Sequence, residues 1–225
     1  MVVLGVDGCK SGWVAVALSG GKGPEAHYLP TIDALGSLSA NADAVAIDIP
    51  IGLPANGPRD SDLLAREFLG VRRNSVFLTP VREALEADTH AQATQAGMAR
   101  TGTGISRQAY ALRNKILEVE RWLPQSPFPV YEVHPEVSFA VMLGTPARAG
   151  KKTWAGMVER RNTLEAAGIS LHDIDGEATV RAAVDDMLDA AAAAWTAGRI
   201  ASGTARSFPD PPELDSSGRQ IAIFA

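Results

Sequence analysis

Val2-Val3-Leu4-Gly5-Val6-Asp7-Gly8-Cys9-Lys10-Ser11-Gly12-Trp13-Val14-Ala15-Val16-Ala17-Leu18 opens the chain with two apolar runs around a polar, glycine-bearing turn. The runs Val2–Asp7 and Trp13–Leu18 are rich in strand formers and read as the two arms of a hairpin. Gly20-Gly21-Lys22-Gly23-Pro24 makes a second turn and His27–Leu29 a shorter third strand. Ile32–Ser39 reads as a short helix capped by Thr31, after which Ala44–Ile49 returns as a strand. Two antiparallel hairpins and a helical crossover into a further strand predict an α/β fold with a mixed sheet.

Working outward, helices are expected over Asp60–Leu69, Arg82–Ala99, Ser106–Leu123, Pro135–Leu143, Thr153–Ala167 and Glu177–Arg199. Strands are expected at Pro129–Val133 and Gln220–Phe224, the latter after a proline-rich loop. The 225 residues fit one domain, 1–225, with a mainly helical insertion at about 55–125. Apolar residues make up 46% of the chain, enough for a substantial core, yet no run is long enough to span a bilayer. With the single cysteine Cys9 and a strand rather than a signal-type segment at the start, a cytoplasmic protein without membrane attachment is expected.

The net charge of −5 argues against a protein that coats nucleic acid indiscriminately. The charge is uneven. Residues 59–121 hold ten Lys/Arg against eight Asp/Glu, whereas residues 165–225 hold four against ten. A nucleic-acid surface would therefore draw on the middle of the chain and on Lys151, Lys152, Arg160 and Arg161. Ordinary solvated helix faces account for the same charges.

Four acids are hard to read as solubility charges. Asp7 ends one apolar run and Asp48 interrupts another, and a buried carboxylate requires a cation, a proton or a network of donors. A ligand crevice at the carboxyl ends of strands is one reading of Asp7; a turn aspartate accepting backbone N–H groups is the other. Asp48 serves equally as a loop-capping carboxylate. Asp186 and Asp189 lie one turn apart on a helix, with Asp185 an alternative to Asp186. Val180, Val184, Met187, Leu188, Ala191 and Trp195 form one face of that helix, and the aspartates fall opposite, as on a solvated face. Ala182, Ala190 and Ala193 share the aspartates' side and would let another element approach closely.

Glu132-Val133-His134-Pro135-Glu136 joins a strand to a helix. Pro135 and Glu136 suit a helix start, which leaves Glu132 as a metal-ligand candidate and His134 as a substrate or phosphate contact. Lys10, Arg72, Arg73, Lys115, Lys151 and Lys152 are candidate substrate contacts to phosphates, or solvated charges.

Several segments carry a resemblance when taken in order: Gly5–Trp13, Ile47-Asp48-Ile49-Pro50-Ile51-Gly52-Leu53-Pro54, Arg72-Arg73-Asn74-Ser75-Val76-Phe77, Lys115-Ile116-Leu117-Glu118-Val119, Glu132–Glu136 and Asp185-Asp186-Met187-Leu188-Asp189-Ala190. Together they resemble DUF429, a family described as predicted RNase H-like nucleases. The resemblance implies an RNase H-like core of three antiparallel strands followed by alternating strands and helices. It implies that Asp7 is the essential first-strand acid, Asp48 the second, and that the last core helix supplies Asp186 and Asp189, in a motif similar to that of Holliday-junction resolvases. The chain departs from an ordinary nuclease in its acidic charge and its helical insertion.

The function expected on these grounds is phosphodiester hydrolysis of DNA or RNA. Asp7, Asp48 and Asp189, with Asp186 or Glu132, would hold two Mg²⁺ or Mn²⁺ ions. An ATP-binding phosphotransferase of actin or sugar-kinase type shares such a sheet, and a non-catalytic RNase H-like binding module is the third reading. Gln220–Phe224 would either pair across a homodimer interface or complete its own sheet.

Overall fold

The computed structural model describes residues 1–38, 41–215 and 217–225. Its strands are β1 (Val2–Cys9), β2 (Gly12–Ser19), β3 (Glu25–Leu29), β4 (Ala44–Ile47), β5 (Val130–Val133), β6 (Ser207–Leu214) and β7 (Gln220–Phe224). They form one seven-stranded sheet in the order β3-β2-β1-β4-β5-β7-β6. The first three strands pair antiparallel, with Asp7 opposite Val14, while β4 runs parallel to β1 with Ile47 opposite Val6. β5 and β7 continue the parallel part, and β6 closes it antiparallel. This mixed order, three antiparallel strands with parallel β4 and β5 beside β1, is an RNase H-like arrangement.

Between β4 and β5 lie α1 (Asp60–Leu69), α2 (Arg82–Leu85), α3 (His90–Thr101), α4 (Arg107–Ala111) and α5 (Arg113–Trp122). Side chains of α2 to α5 pack on the sheet face that carries Leu4, Val6, Ala15, Val45 and Ile47. The other face is covered by α6 (Pro135–Leu143), α7 (Trp154–Ala166), α8 (Glu177–Arg181) and α9 (Val184–Ala201). The alternation of side chains along each strand thus feeds two cores, one on either side. Among the described residues no helix is long and apolar enough to cross a membrane.

Three expected helices are broken. Arg82–Ala99 is α2 and α3, because Thr89 starts a new helix in a reciprocal cap with Gln92. Ser106–Leu123 bends at Leu112, which separates α4 from α5. Glu177–Arg199 is interrupted at the extended Ala182-Ala183, where the Asp186 carboxylate accepts the Ala183 N–H at 3.1 Å. The expected helix over Ile32–Ser39 is a 3₁₀ segment, Ile32–Ser37, without a side-chain cap from Thr31, and Ser39 lies outside the described residues. The proline-rich tail is strand β6, which Pro209, Pro211 and Pro212 disguise. A sheet edge is where a strand tolerates prolines. β7 lies between β5 and β6, so Gln220–Phe224 completes its own sheet and offers no free edge for a partner.

The apolar face expected for the last helix is corrected in part: Leu188 and Ala191 are buried and Met187 and Trp195 pack on the core, but Val180 belongs to α8. Val180 and Val184 are 85% and 59% exposed, whereas Ala190, Ala193, Ala194 and Ala197 are fully buried. The alanine side of α9 lies on β1 at Gly5 so closely that a Cβ there would sit 1.9 Å from Ala194 N and 2.2 Å from Ala190 O. Both obstacles are backbone and cannot swing aside. We expect Gly5→Ala to lose about 3 kcal/mol or more of stability by chemical denaturation, at the upper end of overpacking costs. A loss below about 1 kcal/mol would mean that the two elements separate freely.

Candidate metal centre

The contact at Gly5 decides where three carboxylates go. Asp7 follows Gly5 by two residues and shares its side of the sheet. Asp48 stands one residue beyond β4, its N–H donating to Val6 O at 2.9 Å, so the parallel ladder carries it alongside Asp7. Asp189 precedes Ala190, whose carbonyl touches Gly5, and is only 1% exposed. One oxygen from each of Asp7, Asp48 and Asp189 lies within 4.8 Å of the others. They stand at one end of a cleft of about 520 Å³ also lined by His134, Lys151 and Asp186.

Crowding and burial hold these acids toward their protonated forms. Asp7 is raised well above the usual carboxylate range, by desolvation first and then by Asp48 and Asp189. Asp48 and Asp189 are each pushed to about 7, again chiefly by desolvation, despite the opposing ammonium of Lys151. Asp7 Oδ1 accepts the Gly8 N–H at 2.6 Å, as a turn aspartate does. Asp189 Oδ2 is ion-paired with Lys151 Nζ, while its Oδ1 is buried without a hydrogen-bond partner. An orphaned buried carboxylate oxygen beside two more carboxylates fits a hard divalent cation. This buried acidic triad can hold a metal ion.

Glu132 is not part of it. On β5, Val133 and Tyr131 face α9, so Glu132 points to the opposite side of the sheet. There it accepts the Ile51 N–H at 2.6 Å and two Arg59 N–H bonds at 2.8 and 2.7 Å. Its expected cation is a guanidinium. Asp186 lines the cleft half-buried at the first turn of α9 and adds to the field on Asp7 and Asp48, but it caps Ala183.

The basic residues divide. Lys151 reaches the triad, and Lys152 is exposed at the cleft wall. Lys10 is exposed on a turn and Arg73 on the 3₁₀ segment Gly70–Ser75. Lys115 is committed elsewhere, donating to Gly12 O and lying 4.3 Å over the Trp13 ring. Arg72 donates to the carbonyls of Ala147 and Arg148. His134 Nε2 lies 3.2 Å from Ser75 O, while burial lowers the ring's pKa and leaves Nδ1 without a partner.

Sequence reasoning missed two buried networks. Arg59 joins Glu132 to Asp62, which in turn accepts the Thr79 N–H. Arg160 grips Glu136 through both its oxygens. Arg160 had been weighed only as surface charge. A lone arginine in a loop or helix carries no pattern, although Glu132 within a strand did announce a hidden partner.

The model of the family described as a protein of unknown function, DUF429, matches residues 5–214. The chain belongs to the DUF429 family. That match spans all three carboxylates of the triad, so the DUF429 region and the candidate centre coincide. No curated protein matches the chain.

The raised carboxylates fix the sign of the pH response. A folded-state pKa above the unfolded value stabilises at low pH, and the benefit is lost as pH rises through the folded value. The window therefore runs from the ordinary carboxylate pKa near ~4 to about 7 for Asp48 and Asp189. Metal-free protein should melt several degrees lower at pH 8 than at pH 5.5, and Asp48→Asn should flatten that difference. Thermal melts in chelator check this; a Tm that rises toward pH 8 would contradict the crowding.

Proposed function

We propose that this DUF429 protein is a metal-dependent phosphodiesterase that cleaves nucleic acid. The observation that carries the reading is the meeting of Asp7, Asp48 and Asp189, from two strand ends and a distant helix, around an uncommitted buried oxygen. Oxygen donors alone favour Mg²⁺ or Mn²⁺ over zinc. Bound there, such an ion would lower the pKa of a water and stabilise charge on phosphoryl oxygens.

The remaining parts are the protein's own. Asp7, Asp48 and Asp189 would hold the cation, and their raised pKa values would make its binding a displacement of protons. Lys151 brings a positive charge into the same pocket, and Lys152, Lys10 and Arg73 are free to meet backbone phosphates. His134 lines the cleft with Nε2–H donating to Ser75 O, which leaves the partnerless Nδ1 as an acceptor suited to a substrate hydroxyl and not to a phosphate. Asp186 keeps the first turn of α9 in place through Ala183. The buried single thiol, Cys9, suits the reducing cytoplasm.

Cleavage of single- and double-stranded DNA and RNA should appear with added Mn²⁺ and vanish with chelator. Asp7→Asn should reduce it at least ~100-fold. Undiminished cleavage by that variant would refute the assignment. Saturable ATP binding without cleavage would favour a phosphotransferase, and a metal-dependent rise in Tm without cleavage a binding module.

A further inference from the structure

Lys151 is held as few surface lysines are. The chain leading to it is gripped on several sides: Arg72 Nε donates to Ala147 O at 2.9 Å and its guanidinium also to Arg148 O. Glu159 accepts the N–H groups of Arg148 and Ala149 at 3.0 and 3.2 Å. Arg160, itself 1% exposed and locked onto Glu136, donates to Ala149 O at 3.1 Å. Beneath the loop, Gly156 approaches so near that a Cβ would meet Gly150 O at 2.1 Å. Two helices and the β4–β5 connection thus converge on one short segment, and the side chain they aim is Lys151.

Its ammonium is bonded to Asp189 Oδ2, in the cleft that Asp48 and Asp7 also line. The three carboxylates carry three negative charges when ionised. The ammonium offsets one, and a single divalent ion offsets the other two. Asp186, half-buried in the first turn of α9, is met by Lys151 and then Lys152. A second divalent ion would have to displace Lys151 from Asp189 or sit against its like charge at close range. Of the other acids expected to hold it, Glu132 is turned away to Arg59 and Asp186 has one oxygen bonded to Ala183.

We propose that Lys151 takes the place of a second cation, so that the centre binds one divalent ion, through Asp7, Asp48 and the free Oδ1 of Asp189, beside a fixed ammonium. This rests on the metal-dependent reading above and narrows it. The positive charge that a second ion supplies in two-ion sites is here part of the chain and always present.

Metal stoichiometry tests it without reference to activity. The intact chain, titrated with Mn²⁺ by calorimetry and followed by electron paramagnetic resonance, should take up one ion and show no spin coupling between paired ions. Lys151→Met keeps the stem and removes the charge; it should bind a second Mn²⁺ and give a coupled spectrum, whereas Lys151→Arg should remain at one. Two coupled ions in the unaltered chain would overturn the proposal and leave the metal-dependent reading standing. No bound ion would instead remove that reading. One ion, bound with unchanged affinity by a folded Lys151→Met, would show that the lysine does not occupy a cation's place. Should that variant fail to fold, the count in the unaltered chain decides.

Discussion

The close approach of α9 to β1 at Gly5 governs the molecule. A helix normally rests on a sheet with side chains between the two backbones. Here Gly5 has none, and the helix meets it with Ala190, Ala193 and Ala194, so the backbones touch. That contact fixes both the depth and the rotation of α9. A helix carried on larger residues would be held outward, and Asp189 would withdraw from Asp7. A different rotation would hand Asp189 to solvent and bury Val184. The small residues therefore act twice, as packing and as the device that brings a carboxylate from residue 189 to one at residue 7.

Buried acids elsewhere in the chain show what is unusual about this site. Glu132 and Asp62 share the guanidinium of Arg59, and Glu136 is held in two places by Arg160. In each case a buried anion has a hydrogen-bonded cation in good geometry, the condition under which such burial is tolerated. The triad breaks that pattern, with one ammonium for three carboxylates. A shortage of positive charge in one place, beside buried acids at Asp62, Glu132 and Glu136 that each have a guanidinium, marks a place able to take a cation. The buried guanidinium networks are not idle neighbours either, since Arg160 carries the loop that delivers the ammonium.

The strand carboxylates were legible because an Asp within or at the end of an apolar run contradicts its surroundings, and the mixed sheet followed from the hairpins and the crossover. Glu132 was legible as an anomaly but not in its destination. Only the parity of β5, which begins at Val130, puts it on the side away from α9. Periodicity misplaced α9 because alanine scores weakly as an apolar residue, so Val180 and Val184 outvoted the alanines that bury. The break at Ala182-Ala183 has no glycine or proline to announce it, only the Asp186 carboxylate three residues on that accepts the Ala183 N–H. Strand β6 was hidden for the opposite reason, since Pro209, Pro211 and Pro212 announce a loop where the sheet has an edge.

Three carboxylates in one pocket raise the question of how the chain folds before a cation arrives. The answer lies in the same desolvation that makes the site. With Asp48 and Asp189 pushed to about 7 and Asp7 also raised, protons occupy part of the cluster near neutral pH, and the remaining charge is within reach of Lys151. Protons thus stand in for the absent ion, and the metal-free fold need not sustain three bare anions. A divalent ion bound there would expel those protons, so affinity and proton release would be two aspects of one exchange. The ammonium takes no part in that exchange. Held by its loop and bonded to Asp189, it would be a positive charge present both before and after a cation bound.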